Sequence, residues 1–246
     1  MGFFFESLFL GVWEFFCSAV GLSQDNFNTL DSFENNWTQK TSNGCCGAGN
    51  PATYTIEDGK LILTTNGGSD GYMGIGDGSY FVPNNILLKG NFTVELNIQE
   101  LMREQTNGYK DNSGFGLYLA TVNSLTTSIV DIGIWGNYSG YFEGYSYNEY
   151  NAHRVSAYNP VTKKHVFIDE LDLNKLYNLK FKIQRINNKF KIFYKLSTNS
   201  QWVEHLTSII SSDDLIPILR IGSGDGGDTR QNGKFSASID YFRVTK

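Results

Sequence analysis

The chain has 246 residues, 40% hydrophobic and only 18% charged, with 26 Gly, 14 Tyr and a formal net charge of −5. Low charge with abundant turn formers is an all-β profile, and the length suits one large sandwich or barrel behind a leader. The pI near 5.2, with lysines that alternate with apolar residues, leaves no basic stripe for phosphates and argues against a nucleic-acid partner.

The first segment, MGFFFESLFLGVWEFFCSAVGLSQ, is nearly all apolar. Ser7, Gly11, Glu14, Ser18 and Gly21 recur at spacings of four and three, which places them on one side of a helix. Such a helix of about 20 residues is about 30 Å long, enough to cross a bilayer, and a stripe of small residues lets apolar helices approach closely. A cleaved signal would need a basic start, yet no Lys or Arg precedes Lys40, and Glu6 and Glu14 interrupt the run. Ala19 and Gly21 supply a small-x-small pattern on the side of cleavage. The expectation is a retained helix over 1–23, acting as a membrane anchor or an assembly segment for self-association, ahead of a domain over 24–246.

After residue 24 come short apolar runs separated by Gly, Asn, Asp and Ser: KLILTT, FTVELNI, FGLYLAT, IVDIGIW, RVSAY, KHVFI, YNLKFKIQRI, KFKIFYKL, PILRIGS and FSASIDYFRV. Most alternate apolar with polar and read as strands. In YNLKFKIQRI, Leu179, Phe181 and Ile183 point opposite to Lys180, Lys182 and Gln184. The dipeptide NN then leads into Phe190, Ile192 and Tyr194, so the pair predicts a hairpin with one solvated face. Repeated hairpins imply two antiparallel sheets packed face to face. Beyond the leader, the best helical turn is SSDDL before Pro217. Trp37 and Trp202 are expected in the core.

The order DSFENNW, DGKLIL, GNFTVELNI, GFGLYLA, the long YNLKFKIQRINNKFKIFYKL hairpin and the closing GKFSASIDYFRV resembles concanavalin A-like lectin/glucanase domains of the laminin-G-like kind, over residues 25 to 246. That resemblance implies a two-sheet jelly roll, often with a carbohydrate on a face or edge loop and sometimes a structural calcium ion. Glucanases of this kind carry their carboxylates on one strand as E-x-D-x-E or E-x-D-x-x-E. Retaining chemistry needs that pair about 5 Å apart. Glu95 and Glu100 are five apart and so take opposite faces of a regular strand. Asp169, Glu170 and Asp172 in IDELD read as a solvated turn. His153, His165 and His205 are dispersed, without metal-ligand or triad spacing. The chain is therefore not expected to be an enzyme.

The stretch IWGNYSGYFEGYSYNEYNAHR gathers Trp135, Tyr138, Tyr141, Tyr145, Tyr147 and Tyr150. Aromatic faces there suit pyranose rings, and they suit a subunit interface equally. The Gly-rich loops are not phosphate loops, since neither carries a G-K-[ST] ending. Calcium is the cation they could take, through Asp225 with Asp228 or Asp70 with Asp77; related sandwiches imply Asp240 with Asp31 or Glu34. Asp-Gly turn chemistry explains the same residues. Cys17, Cys45 and Cys46 form an odd set with a strained doublet: Cys45 or Cys46 pairs with Cys17 or another subunit, or all are free thiols. Asn36, Asn91 and Asn137 begin glycosylation sequons.

These readings converge on an extracellular or surface-exposed structural protein, non-catalytic, held by its N-terminal helix in a filament, virus particle or membrane. The alternative is a lectin module, with calcium its one candidate cofactor. A glycoside hydrolase comes third.

Overall fold

The computed structural model describes residues 23–42, 51–65, 78–103, 114–135, 153–159, 164–171, 178–196, 201–222 and 235–246. The apolar leader, and with it the helix expected over 1–23, lies outside this set. Among the described residues no helix is long and apolar enough to cross a membrane.

Two antiparallel sheets pack face to face. The first runs β13 (Val203–Ile210), β12 (Lys189–Lys195), β11 (Leu179–Ile186), β6 (Phe92–Arg103), β15 (Phe235–Thr245), β4 (Lys60–Thr64) and β3 (Thr53–Glu57), and the short β1 (Ser23–Asp25) also pairs with β15. The second runs β10 (Lys164–Leu171), β9 (His153–Asn159), β8 (Ser124–Trp135), β7 (Gly114–Thr121), β14 (Leu215–Gly222), β5 (Gly78–Pro83) and β2 (Trp37–Ser42). Their inner faces meet in one core, where Leu96, Phe181 and Ile239 of the first sheet join Leu117, Ile132 and Leu219 of the second.

The β11–β12 hairpin forms as its alternation predicts, with buried Leu179, Phe181 and Ile183 between half-exposed polar residues. Its turn residues Asn187 and Asn188 have φ of 51° and 65°, the left-handed pair that a two-residue turn of matching twist requires and that Asn tolerates. Asn91 Oδ1 accepts the Asn187 N–H at 2.8 Å and fixes the turn to the strand beside it.

The one helix among the described residues is α1 (Leu30–Asn36), not the SSDDL segment. In SSDDL the Ser211 hydroxyl instead donates to Asp213 Oδ2 (2.8 Å) and accepts the Asp213 N–H (3.1 Å), a local turn that replaces the helix. At α1 the Thr29 hydroxyl accepts the Ser32 N–H and caps the first turn. Phe33 is buried against Phe27, Trp37 and Phe81. Asp25 accepts both the Phe27 N–H and the Trp37 indole N–H at 2.8 Å, which ties the start of the domain to this aromatic knot. Trp37 is thus core as expected. Trp202 is not: it is half-exposed on the outer face of the first sheet, its ring centroid 4.1 Å from Lys182 Nζ.

Three strands depart from simple alternation. In β6 the pairing to β15 shifts register around Ile239, and Ile98 and Leu101, three apart, both reach the core. That extra residue puts Glu100 on the same side as Glu95, contrary to the regular-strand expectation. In β7 and β14 nearly every residue is buried. These two strands of the second sheet are covered on both faces, whereas the first sheet keeps a solvated one.

Candidate functional site

The outer face of the second sheet is where chemistry-bearing groups converge. Because Val130, Ile132 and Ile134 of β8 point into the core, Asp131 and Gly133 take the opposite face. On β7, Phe115, Leu117 and Leu119 are core, which turns Gly116 and Tyr118 outward; on β14 the same parity turns Ile218 and Arg220 outward. Register then builds two rows. Tyr80, Arg220, Gly116 and Gly133 stand abreast on β5, β14, β7 and β8. In the adjoining row Ile218 faces Tyr118, which faces Asp131.

The two glycines leave the middle of the first row bare. A Cβ on Gly116 would meet Tyr118 Cε1 at 2.9 Å, the Ile132 carbonyl oxygen at 3.1 Å and Gly133 Cα at 3.2 Å. The Tyr118 ring thus leans over a floor of naked backbone. Arg220 Nη1 donates to the Tyr118 hydroxyl at 3.2 Å, and its guanidinium lies 5.4 Å from the Tyr118 ring centre and 5.5 Å from that of Tyr80. Ser128 donates its hydroxyl to Asp131 Oδ2 at 2.8 Å. Tyr80, Val82, Tyr118, Ala120 and Ile218 enclose these polar groups in a second apolar cluster.

Burial sets the electrostatics. Asp131 is 1% exposed and Arg220 4%, so neither charge is tolerable without the other's neighbourhood. Burial pushes the Tyr118 phenol well above its usual pKa; Arg220 works against that rise and Asp131 adds to it. Tyr118 is therefore a neutral hydrogen-bonding group at pH 7 and not a phenolate nucleophile. Burial opposes the Arg220 charge, but Tyr118, Tyr80 and Asp131 outweigh it and hold its pKa raised. The Tyr80 hydroxyl is buried with no hydrogen-bond partner among the described residues. Within this cluster that is a buried hydroxyl whose donor is unfilled.

Asp131 was not among the candidate residues. The visible signal is a single acid inside the apolar run Ile129–Ile134, three residues after Ser128. Compared with E-x-D-x-E, the strand keeps one carboxylate, with Gly133 two residues on.

The other sequence candidates are scattered. Trp135 ends β8, opposite Gly114 and Arg154. Tyr138, Tyr141, Tyr145, Tyr147 and Tyr150 lie outside the described residues, as do Ser7, Gly11, Glu14, Ser18 and Gly21, the cysteines Cys17, Cys45 and Cys46, Asn137, and the loop acids Asp70, Asp77, Asp225 and Asp228. Asp31 sits exposed in the first turn of α1, Glu34 accepts the Tyr54 hydroxyl at 3.1 Å, and Asp240 accepts the Asn97 amide at 2.8 Å. The structure gives these three separate duties, and no group of three metal-ligating side chains occurs among the described residues. Asn36 and Asn91 are exposed. Asp169 and Glu170 belong to strand β10, paired with Val155 and Arg154 of β9, and not to a turn. Glu95 and Glu100, though on one face, are five residues apart, about 13 Å or more along the strand, too far for a retaining pair. His205 on β13 is half-buried with its pKa lowered by desolvation.

One cleft of about 480 Å³ opens between Ile129 of the second sheet and Ile209 of the first, rimmed by Asn188, Ser211 and Asp213. Its apolar wall is isoleucine, without the aromatic faces that pyranose rings favour.

No family model matches the chain, and no curated protein matches it. Solved structures do. A β-1,3-1,4-glucanase (lichenase) from a mouse hindgut metagenome is 14% identical with a TM-score of 0.54, covering 91% of this chain and 98% of that one. LamA from Zobellia galactanivorans, in complex with laminaritriose and laminaritetraose, is 12% identical with a TM-score of 0.53, covering 91% and 98%. An endo-1,3-β-glucanase from Streptomyces sioyaensis is 14% identical with a TM-score of 0.52, covering 92% and 96%. The lichenase and the endo-1,3-β-glucanase are glucanases by name, which corrects the expectation of a non-catalytic structural subunit, while the CBM2 module of a Lactobacillus casei phage Dit, 11% identical with a TM-score of 0.54 and covering 91% and 95%, shares the same architecture. The chain has the concanavalin A-like jelly-roll fold of β-glucanases, a sandwich of two antiparallel sheets.

Proposed function

We propose that this chain is a secreted or surface-displayed glycan-acting protein of the glycoside hydrolase kind, which takes a β-glucan against the outer face of the second sheet with Asp131 as its acid. The observation that carries the reading is the placement of Asp131: one carboxylate at the centre of that sheet, beside a glycine floor, between aromatic rings and a buried arginine. Its neighbours in architecture act on or hold β-glucans.

Chemistry follows from the parts. Tyr118 stays protonated and donates or accepts a hydrogen bond, Arg220 keeps a positive charge next to the acid, and bare backbone at Gly116 and Gly133 admits a ring close to the strands. Two-carboxylate hydrolysis requires a second acid about 5 Å from Asp131 for retention, or about 6.5–9.5 Å for inversion. Among the residues whose side chains are described, Asp131 is the carboxylate on this face. The face is closed, so a glycan has to open it to reach Asp131.

The test uses the full chain and a panel of β-1,3-, β-1,3-1,4- and β-1,4-glucans, with reducing ends measured over time for the native protein and Asp131→Asn. Release by the native protein, lost at least a hundredfold in the variant, an effect of general-acid size, supports the reading. Equal release by both, or none by either on every glucan, sinks it.

A further inference from the structure

The outer face of the first sheet carries a different chemistry. The chain is acidic, with a net charge of −5, yet β11 and β12 turn Lys180, Lys182, Lys191 and Lys195 outward, since their alternate residues fill the core. Arg243 of β15 joins them. The acids on this stretch are Glu95, Glu100, Glu204 and Asp240. Glu95 accepts the Tyr241 hydroxyl, Glu204 pairs with Lys191 at 2.9 Å, and Asp240 accepts from Asn97.

Lys180, Lys182 and Arg243 sit on aromatic rings. Lys182 Nζ lies 4.2 Å from the Phe193 ring centre and 4.1 Å from that of Trp202, held between the two. Lys180 and Arg243 lie 5.4 and 4.8 Å from the centre of Tyr241, whose hydroxyl accepts from Lys180 at 3.3 Å. A lysine gripped by rings has already lost much of its rotamer freedom, so it meets an anion at reduced entropic cost. Burial lowers the pKa of Lys182, and the fields of Glu95 and Glu204 work against that fall. Cross-strand register sets Arg243, Glu95, Lys182 and Phe193 abreast. With strands about 4.8 Å apart, Arg243 and Lys182 lie about 10 Å apart.

We infer that the outer face of β15, β6, β11 and β12 is a second binding surface, for an acidic polysaccharide whose carboxylate or sulfate groups meet Lys180, Lys182 and Arg243. Cations spaced across several strands match a linear chain with regularly repeating charges, and interleaved half-exposed rings match sugar. The choice of glycan over another polyanion rests on the proposed function; the charge and ring geometry do not.

The probes are alginate and dextran sulfate against neutral dextran of matched length, measured by affinity electrophoresis of the full chain. Retardation by both acidic polymers and not by dextran, fading between roughly 50 and 200 mM salt as counterion release requires, is the expected result. Lys182→Glu is expected to weaken retention about tenfold or more, a change of about 1.4 kcal/mol, and Lys40→Glu, at an exposed position on β2 of the second sheet, to leave it unchanged. Thermal midpoints check folding; should Lys182→Glu fail to fold, Lys180→Gln and Arg243→Gln together take its place with the same expected loss. Equal retention of neutral dextran, no loss in the variants, or tighter binding to single-stranded DNA or to phosphatidylserine vesicles overturns the inference. β-Glucan cleavage by Lys182→Glu is read in parallel: cleavage intact with acidic binding lost isolates this surface, and acidic binding without any cleavage sinks the hydrolase reading alone.

Discussion

Arg220→Met is the perturbation that bears hardest on the second sheet's polar cluster. The substitution keeps a long side chain over Tyr80 and Tyr118 but deletes the hydrogen bond to the Tyr118 hydroxyl and the positive charge near Asp131. Asp131 at 1% exposure would then be a buried carboxylate without that positive charge, its hydrogen bond from Ser128 kept. Removing one partner of a buried charged pair costs about 3–5 kcal/mol. For a chain of this size each kcal/mol moves the melting midpoint by about 2–4 °C, so the fall is about 6–20 °C. Asp131→Asn alone leaves Arg220 uncompensated and is also expected to destabilise. The double variant should lose less than the sum of the two, with a coupling of at least about 1 kcal/mol. Urea unfolding of all four proteins, fitted with a common slope, gives that coupling. Additivity within about 0.5 kcal/mol would mean that Asp131 and Arg220 do not stabilise one another, and the electrostatic account of the site would fail.

Other outcomes follow from single contacts. Gly116→Ala is expected to cost about 1–3 kcal/mol in urea unfolding, because backbone atoms at 3.1 and 3.2 Å cannot give way as readily as the Tyr118 ring. Asn188→Val places a β-branched residue at φ 65° and should cost about 1–2 kcal/mol, whereas Asn188→Gly should be nearly neutral. Tyr118 has a folded-state pKa above its unfolded value of 10.0, so the unfolded chain ionises first. Its contribution is full below about pH 10 and is lost as pH rises from there through the raised folded value. Thermal midpoints of the native protein should fall across that alkaline range more steeply than those of Tyr118→Phe. Thr29→Ala removes the cap of α1 and should cost about 1 kcal/mol.

The first sheet's hairpin was legible because its lysines and aromatics alternate strictly, one face wet and one dry. The second sheet was harder to read. GFGLYLA and PILRIG are buried on both sides, and a run with no polar face carries no parity from which to tell which residues line the outer surface. Tyr118 and Arg220 were therefore invisible as neighbours. Their meeting depends on pairing between β7 and β14, strands about 100 residues apart in the chain. Strands β2, β3, β5 and β13 were missed: GSYFVP and WTQKTS offer few alternating positions, and long-range pairing supplies the rest. Helix α1 was missed because its apolar content is little more than Phe33; a capping Thr and a buried ring suffice when the aromatic knot of Phe27, Trp37 and Phe242 receives it. Asp131 was hidden for a related reason: two-carboxylate sites are recognised in a sequence by paired spacing, and Asp131 has no acid within two or three residues on its strand.

The most direct test of the account is to incubate laminaritetraose with the full chain and follow the products by mass spectrometry, alongside Asp131→Asn. The account predicts shorter oligosaccharides from the native protein and intact tetraose from the variant. Intact tetraose with the native protein at high enzyme concentration, or equal shortening by the variant, would contradict it.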